Sequence, residues 1–234
     1  MPNAADSLTI AERVVLLARG SDQAQATVSS NRAAYSRFAR NYVTQNLNAD
    51  STTVTLTYVR NGHLGTATTG NISQSGLHRL VASAADIAKR VPKNREFVSL
   101  AKRAPIAKAI KSVYASTRDA TPDDRVNKLL PVFARMKQSN LSSAGFTTTQ
   151  TSVTAVANSL GVRVAFEGTY GGIEIKAMAA NTSGFAEYFS RDYASLDSAE
   201  RAQRASAKAT VSSTPEDFAP GTYTVILEPP AFVD

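Results

Sequence analysis

The dipeptide Asn61-Gly62, with an alternating segment on each side, constrains the fold more than any other feature of the sequence. Residues 52–60 alternate between apolar and polar side chains, and residues 63–69 return in the same manner. Asn-Gly between two such segments is the strongest short-range signal for a two-residue β-hairpin, because both residues accept a positive φ. We therefore predict that this part of the chain forms an antiparallel sheet.

Other segments extend the predicted sheet. Residues 24–31 and 35–47 have the composition of strands, and the uneven spacing of Phe38 and Val43 in the second segment indicates a β-bulge. The long segment 143–180 is rich in threonine and valine, which favour strands. Turns are predicted to separate its strands at residues 158–161, 168–172 and 181–184.

Helices are expected beside these strands, at residues 9–19, 73–91, 121–138 and 198–209. Ser73 is a favourable N-cap, and Thr121 followed by Pro122 is a second one. The predicted fold class is α+β, with antiparallel sheets and flanking helices. We expect a helix–antiparallel sheet–helix unit over residues 1–91, a basic connection over 92–120 and a second α+β unit over 121–234.

The last residues resemble the start of a further domain. Residues 221–228 alternate like a strand, and the segment that begins with Pro229-Pro230 resembles the first turn of a helix, where proline is tolerated. We expect the second unit to run into a C-terminal domain beyond Asp234, so that the chain is the front part of a longer protein. Chemistry of that protein could then reside beyond this residue.

The composition excludes cysteine-based sites, and the sequence shows no membrane-spanning segment. The chain has no cysteine, which excludes disulfides and thiolate metal ligands. Its first residues are polar, and no apolar segment of the sequence approaches the length of a membrane span. We therefore expect a cytoplasmic protein without a membrane partner.

The net charge of +7 is confined to one segment of the sequence. Residues 89–111 contain eight basic residues and one acidic residue, so the rest of the chain has no net charge. A phosphate-binding or nucleic-acid site would use such a segment, but zinc-finger, RNA-recognition and Walker spacings are absent from the sequence. A solvated connection is the simpler interpretation, and nucleic acid is disfavoured as a partner.

The sequence offers little catalytic chemistry. His63 falls in the predicted hairpin and His78 on the helix that follows it, and no zinc-binding or nucleophile motif surrounds either one. The glycine-rich residues 168–172 join two predicted strands, which suits a hairpin better than a phosphate loop. We therefore predict no catalytic residue, no metal ligand and no cofactor in this chain.

The candidate binding residues lie on the predicted strand 35–47. Arg37, Asn41 and Gln45 are four residues apart, an even spacing that places all three on one face of a regular strand. They would present hydrogen-bonding groups to an extended peptide or to a partner chain. Solvated side chains on an exposed strand are the alternative, and Phe38 is expected to be buried in either case.

Four motifs follow one another along the chain. They are Arg37-Phe38-Ala39-Arg40-Asn41 with Gln45, the hairpin with Gly70-Asn71-Ile72-Ser73 after it, Ala157-Asn158-Ser159-Leu160-Gly161, and Pro215-Glu216-Asp217-Phe218-Ala219-Pro220-Gly221-Thr222-Tyr223-Thr224-Val225-Ile226-Leu227-Glu228-Pro229. In this order they resemble the TldD/PmbA family, which is associated with metallopeptidase activity and was once described as modulators of DNA gyrase. The resemblance spans essentially the whole chain.

The resemblance implies that the chain is the N-terminal portion of such a protein. In the family, one subunit carries a His-Glu-x-x-x-His motif on a helix beyond the last motif, where zinc activates a water molecule for peptide hydrolysis. A related subunit lacks that motif. Residues 228–234 look more like the metal-free subunit, because the glycine-rich approach to the histidines is missing. The implied partners are a zinc-bearing TldD-like subunit or a second copy of the chain, with a peptide as substrate.

Two further functions are open at this point. The longer protein could carry its own zinc motif beyond residue 234 and act as a self-sufficient metallopeptidase. Alternatively, the chain could be a nucleic-acid or gyrase-associated binding module that uses its basic segment. If the chain belongs to a metal-free subunit, the zinc lies in a partner subunit, and if it belongs to a self-sufficient peptidase, the zinc lies beyond the C-terminal end. No zinc is expected in this chain in either case.

Overall fold

The computed structural model describes residues 1–106, 110–211, 217 and 219–233, and its centre is one six-stranded antiparallel sheet. In chain order the strands are β1 (Gln23–Ala39), β2 (Tyr42–Arg60), β3 (His63–Thr69), β4 (Ser142–Asn158), β5 (Arg163–Met178) and β6 (Ser183–Ser190). Across the sheet their order is β3-β2-β1-β4-β5-β6. The pairing of β1 with β4 joins the first three strands to the last three in a continuous sheet.

Helices accompany the sheet, which confirms the α+β class. They are α1 (Ala4–Leu17), α2 (Gln74–Arg90), α3 (Ala115–Arg118), α4 (Pro122–Gln138), α5 (Ser198–Val211) and α6 (Pro229–Val233). Both predicted N-caps are confirmed. The Ser73 hydroxyl accepts a hydrogen bond from the Gly76 N–H at 3.2 Å, and Thr121 forms a capping box with Asp124 at the start of α4.

The longer helices cover one face of the sheet as two pairs, α1 with α2 and α4 with α5. Because side chains alternate along a strand, every second residue of β1 faces these helices. Ala26 and Val28 belong to a first core under α1 and α2, whereas Phe38 belongs to a second core under α4 and α5. Between the two cores the same row of β1 carries Ser30, Arg32, Ala34 and Ser36. The covered face therefore has a mostly polar strip between two apolar cores.

The hairpin at Asn61-Gly62 is confirmed. The two residues have φ values of 53° and 78°, and they connect β2 to β3 as a two-residue loop. Both residues in the left-handed region define the type I′ geometry that matches the twist of the flanking strands. The glycine is needed there because left-handed backbone conformations are strained for most side chains.

The first hairpin differs from the prediction. The chain reverses at Arg40 and Asn41, whose φ values are 52° and 64°, so the segment 35–47 is the end of β1 and the start of β2 and not a single strand. Asparagine tolerates this conformation but arginine is not favoured in it, and the sequence signal was correspondingly weak. The predicted bulge is confirmed, since the register of β1 against β2 shifts between Arg37 and Phe38.

Residues 168–172 do not form the predicted turn, because they lie inside the continuous strand β5. Glycine serves close packing there: a Cβ atom on Gly172 would collide with the backbone oxygen of Tyr188 on the neighbouring strand β6. The glycine at 172 therefore permits the close approach of two strands and does not mark a turn. Strand β6 itself was not predicted from the sequence.

The predicted strand at residues 221–228 is also wrong. Within the described part of the chain these residues form no strand, and Val225 and Leu227 are exposed. Alternation alone does not make a strand, because each strand needs a neighbour for its backbone hydrogen bonds. The helix start at Pro229 is confirmed as α6. Some residues of the predicted segments lie outside the described residues, namely Lys108 of the basic segment 89–111, Pro215, Glu216, Phe218 and Asp234.

The basic connection is attached to the sheet although its described residues between α2 and α3 form no helix or strand. Asn158 donates a hydrogen bond from its side-chain nitrogen to the Ala101 carbonyl at 2.8 Å. Gln23 accepts a hydrogen bond from the Leu100 N–H at 2.8 Å. The division of the chain into units at residues 91 and 121 stays a prediction.

Candidate functional site

The three candidate binding residues lie at the far end of the hairpin formed by β1 and β2. Arg37 on β1 is directly opposite Gln45 on β2, and Asn41 is in the turn that joins the strands. The prediction that all three share one face of a single strand is wrong, because the chain reverses between them. Arg37 and Gln45 are nevertheless brought together, since residues directly opposite in an antiparallel pair project to the same face.

Arg37 and Gln45 line a small cavity with Tyr35 and Leu47. Its volume is about 270 Å³, and it lies on the face of the sheet that the helices leave uncovered. A cation, an amide and two apolar side chains offer both polar and hydrophobic contacts to an extended chain. The four lining residues offer contacts that can bind and orient an extended chain.

Asn41 is held by the rest of the fold. Its side-chain nitrogen donates to the Leu141 carbonyl at 2.9 Å, and its side-chain oxygen accepts from the Ser143 hydroxyl at 2.8 Å. Both contacts attach the hairpin turn to the start of β4. These contacts give Asn41 a structural role, because both ends of its amide are hydrogen-bonded and asparagine tolerates the left-handed backbone.

The start of β2 presents a long free edge. β3 pairs with β2 only from Val54 to Arg60, so residues 42–53 have β1 on one side and, within the described residues, no strand on the other. Residues 44–51 are exposed without interruption. A row of unpaired backbone N–H and C=O groups is a template for an additional strand. This edge, together with the cavity beside it, is the candidate binding site.

Aromatic side chains extend from the cavity across the uncovered face. The ring centroids of Tyr35 and Phe146 are 6.1 Å apart, and those of Phe146 and Phe189 are 6.4 Å apart. Tyr170 stacks on Phe189 at 5.2 Å. The row therefore crosses the sheet from β1 to β6 and makes this face partly apolar.

An ion pair joins β1 to the free edge of β2 near residue 50. Arg32 on β1 contacts both carboxylate oxygens of Asp50 on β2 at 2.9 Å. These hydrogen bonds are the main reason why the pKa of Asp50 is lowered to about 2. The amino group of Met1 adds a contact to Asp50 at 3.3 Å. The carboxylate therefore stays charged over the whole physiological range of pH.

Sequence reasoning missed one polar residue of interest, Arg125 on α4. It is 1% exposed and lies on the buried stripe of the helix with Leu129, Val132 and Met136. Their spacing of four, seven and eleven residues from Arg125 is that of one helix face. A basic residue in the apolar stripe of an amphipathic helix is the signal that could have identified it, because arginine is almost never fully buried without a partner.

The family resemblance implies a zinc ion in a partner subunit or beyond the C-terminal end, and the histidine and acidic side chains that the structure describes form no cluster for one. Within the described part of the chain, no three or more histidine, aspartate or glutamate side chains come together in a way that could hold a metal ion. The His63 Nδ1 atom is 2.8 Å from the Val91 carbonyl oxygen, and His78 is exposed on α2. Of the helices that the structure describes, none is both long and apolar enough to cross a membrane.

Three solved structures share this fold, each with a TM-score of 0.75. TldE from Thermococcus kodakarensis is 20% identical, and the match covers 86% of this chain and 47% of that chain. A candidate modulator of a DNA gyrase from Thermotoga maritima is 17% identical over the same shares, 86% and 47%. A candidate modulator of DNA gyrase from Bacteroides thetaiotaomicron is 14% identical, over 90% and 50%. The chain thus spans about half the length of these proteins, and at such identities the likeness shows the fold alone.

The sequence itself also matches a family. A comparison with curated proteins found no match. The family model for the PmbA/TldA metallopeptidase central domain, however, matches residues 95–212, which is just over half of the chain. This match begins in the basic connection and ends after α5. The chain therefore belongs to the TldD/PmbA family.

Proposed function

We propose that the chain is the front part of a TldD/PmbA-type protein of the metal-free kind, which assembles with a zinc-bearing TldD-like subunit in peptide proteolysis. The observation that carries the proposal is the free edge of β2 on a fold that resembles TldE. The missing glycine-rich approach at residues 228–234 supports the metal-free kind. The proposed substrate is a peptide.

The free edge would receive a strand of the TldD-like subunit. Eight consecutive exposed residues, 44–51, extend for about 26 Å at roughly 3.3 Å per residue. This length suits a whole strand of a folded partner. Backbone hydrogen bonds would supply affinity, and the cavity beside Arg37 and Gln45 would select the side chains of that strand. Arg37 favours an acidic or hydrogen-bond-accepting side chain at that point.

The division of labour follows from the chemistry of the residues. A zinc ion in the partner would activate a water molecule for peptide hydrolysis. The residues of this chain would hold the partner's strand and so position its active site. A strand from a second copy of the chain, or from a later part of the same longer protein, would compete for the same edge.

A mixing experiment with the full-length protein and a TldD-like subunit of the same source tests the proposal. We expect size-exclusion chromatography with light scattering to show a complex of both subunits, with peptidase activity only in the mixture. Arg37→Glu should weaken the complex at least about tenfold, since it loses a charge-assisted contact and adds repulsion. Arg79→Glu, at an exposed arginine of α2, is the matched control and should bind normally.

Three results would contradict the proposal. The first is a full-length protein that holds one zinc per chain by elemental analysis and cleaves peptides alone, which would favour the self-sufficient peptidase. The second is the absence of any complex with the TldD-like subunit. The third is equal binding by the Arg37→Glu and Arg79→Glu variants, which would remove the free edge from the interface.

A further inference from the structure

A polar pocket lies on the helix-covered side of the sheet, in the strip between the two cores. Its volume is about 720 Å³, within the usual range for small-molecule sites. Its walls come from β1, β2 and β4, from α3 and from the residues that follow α3. The charged and hydrogen-bonding residues of its lining that matter here are Arg32, Asp50, Asn48, Thr149, Arg118 and Asp119.

The guanidinium group of the buried Arg125 lies directly behind the wall of this pocket. Its Nε donates to the Ser36 hydroxyl at 3.1 Å. Its other nitrogens make longer hydrogen bonds, to the Ala120 carbonyl at 3.4 Å, the Thr149 hydroxyl at 3.5 Å and the Asn48 side-chain oxygen at 3.4 Å. These three acceptors belong to residues that line the pocket. The cation is therefore separated from the pocket by a single layer of movable side chains and one carbonyl.

All four acceptors around Arg125 are uncharged, and no ion pair joins it to an acidic side chain of the described residues. Tyr193 and Asp124 lie near enough to favour the charged form. The hydroxyl of Tyr193 is hydrogen-bonded to Thr147, and the carboxylate of Asp124 is held by the backbone N–H and hydroxyl of Thr121. Burial lowers the pKa of Arg125, because a buried charge without an ionic partner is destabilised. Among the described residues, the positive charge of Arg125 thus has no acidic partner at hydrogen-bond distance.

The other arginines at the pocket already have partners. Arg32 forms two hydrogen bonds with Asp50, and Arg118 forms two with Asp119, at 2.8 Å and 2.7 Å. The carboxylates of the pocket therefore neutralise its more exposed cations. They leave Arg125 as the group that an incoming anion would compensate.

We propose that this pocket binds an oxyanion, a carboxylate or a phosphate group, that pairs with Arg125. The planar guanidinium suits a bidentate contact with either group. Hydrogen bonds of 3.4–3.5 Å exceed the usual range of about 2.7–3.2 Å, so little is lost when Asn48 or Thr149 turns aside to admit the anion. The pocket lies on the helix-covered face, opposite the cavity beside Arg37 and Gln45, although it shares Asn48 and Asp50 with the free edge of β2. The inference does not depend on the proposed function.

An isosteric substitution tests the inference with the 234-residue chain itself. Asn48→Asp places a built-in carboxylate at the Asn48 side-chain oxygen, 3.4 Å from an Arg125 nitrogen in the native chain. We expect its Tm in anion-free buffer to rise by about 2–4 °C. The matched control is Asn31→Asp on β1, whose side-chain oxygen accepts from the Gln150 amide. The control should show no such rise.

Calorimetric and thermal-shift titrations then measure binding of two probes, sodium phosphate and sodium acetate, against sodium chloride at equal ionic strength. Saturable stabilisation by acetate alone would identify the ligand group as a carboxylate, and saturable stabilisation by phosphate alone would identify it as a phosphate. Saturable stabilisation by both would mean that the pocket accepts either oxyanion. In Asn48→Asp the Kd should rise at least about tenfold, the equivalent of one charge-assisted hydrogen bond. Arg125→Met should lose the response in the same way if it folds.

Two outcomes would overturn the inference. One is a response to phosphate and acetate that is no larger than the response to chloride. The other is an Asn48→Asp variant that is less stable than Asn31→Asp or that keeps the wild-type anion affinity. Either result would mean that the neutral acceptors around Arg125 are sufficient for it.

Discussion

Replacing Phe38 with alanine should destabilise the protein by about 3–5 kcal/mol, the usual range for a buried phenylalanine. The side chain is 2% exposed and belongs to the second core. Its ring meets the ring of Phe133 edge-on, with centroids 5.6 Å apart at 69°. Such an aromatic pair adds about 0.5–1.5 kcal/mol beyond the buried area. We therefore expect a value in the upper half of the range.

The surroundings of Phe38 explain why the cavity would not collapse. The ring tip lies 2.9 Å from the position that a Cβ atom on Gly145 would occupy, so β4 is shaped around it. β1 keeps a continuous register with β4 through Arg37 and Phe38, and the extra residue of the bulge is Thr44 on β2. Because both strands are held by their neighbours in the sheet, the space left by alanine remains largely empty.

Urea unfolding followed by far-UV circular dichroism measures the effect, with tyrosine fluorescence as a second probe because the chain has eight tyrosines and no tryptophan. A loss of about 4 kcal/mol corresponds to a Tm decrease of roughly 8–16 °C for a chain of this size. Phe166→Ala is the control, since Phe166 is 52% exposed, and it should lose about 1 kcal/mol or less. A Phe38→Ala variant that loses no more than this control would refute the described packing of the hairpin end.

Other predictions concern the same hairpin and its surroundings. Arg37→Ala and Gln45→Ala should change the unfolding free energy by only about 0.5 kcal/mol yet weaken pairing with a TldD-like subunit. Asn41→Ala should lower the unfolding free energy by about 1–3 kcal/mol, because it leaves the Leu141 carbonyl without its donor. Urea unfolding beside a pairing assay separates the binding effect from the stability effect. The pKa of Asp50 is lowered from 3.8 to about 2, mainly by the hydrogen bonds from Arg32. The contribution of its carboxylate to stability is therefore fully present above about pH 4 and is lost as the pH falls through 2. The Tm should fall less between pH 5 and pH 2 in Asp50→Asn than in wild type, and parallel curves would count against the ion pair. Replacing Lys102 and Arg103 by glutamine should leave assembly unchanged, and submicromolar DNA binding at physiological salt that disappears in this variant would favour a nucleic-acid role instead.

Local signals were sufficient for much of the fold. Asn61-Gly62, the Ser73 cap and the Thr121 cap each act over a few residues, so the sequence alone indicates the second hairpin and the starts of α2 and α4. The turn at Arg40-Asn41 was missed because arginine gives no turn signal. The strand at 221–228 was wrong because strand formation depends on a neighbour that sequence alternation does not reveal.

The candidate site depended more on tertiary structure. Arg37 and Gln45 do meet, but across a hairpin and not along one strand. The sequence therefore grouped Arg37 with Gln45 correctly but for the wrong geometric reason. It also included Asn41, whose amide is hydrogen-bonded to Leu141 and Ser143. Nothing in the sequence near Arg125 indicates that its acceptors come from three different strands and a loop. Such contacts are fixed only by the packing of α4 on the sheet.

Hydrogen–deuterium exchange of the full-length protein, alone and with a TldD-like subunit, tests the proposed use of the free edge most directly. Backbone amides on an unpaired edge exchange quickly, and an added strand slows them by giving them hydrogen-bond partners. The account predicts new protection concentrated in residues 42–53 of β2, and its loss in the Arg37→Glu variant. Protection that appears elsewhere on the chain while residues 42–53 exchange as fast as in the free protein would contradict it.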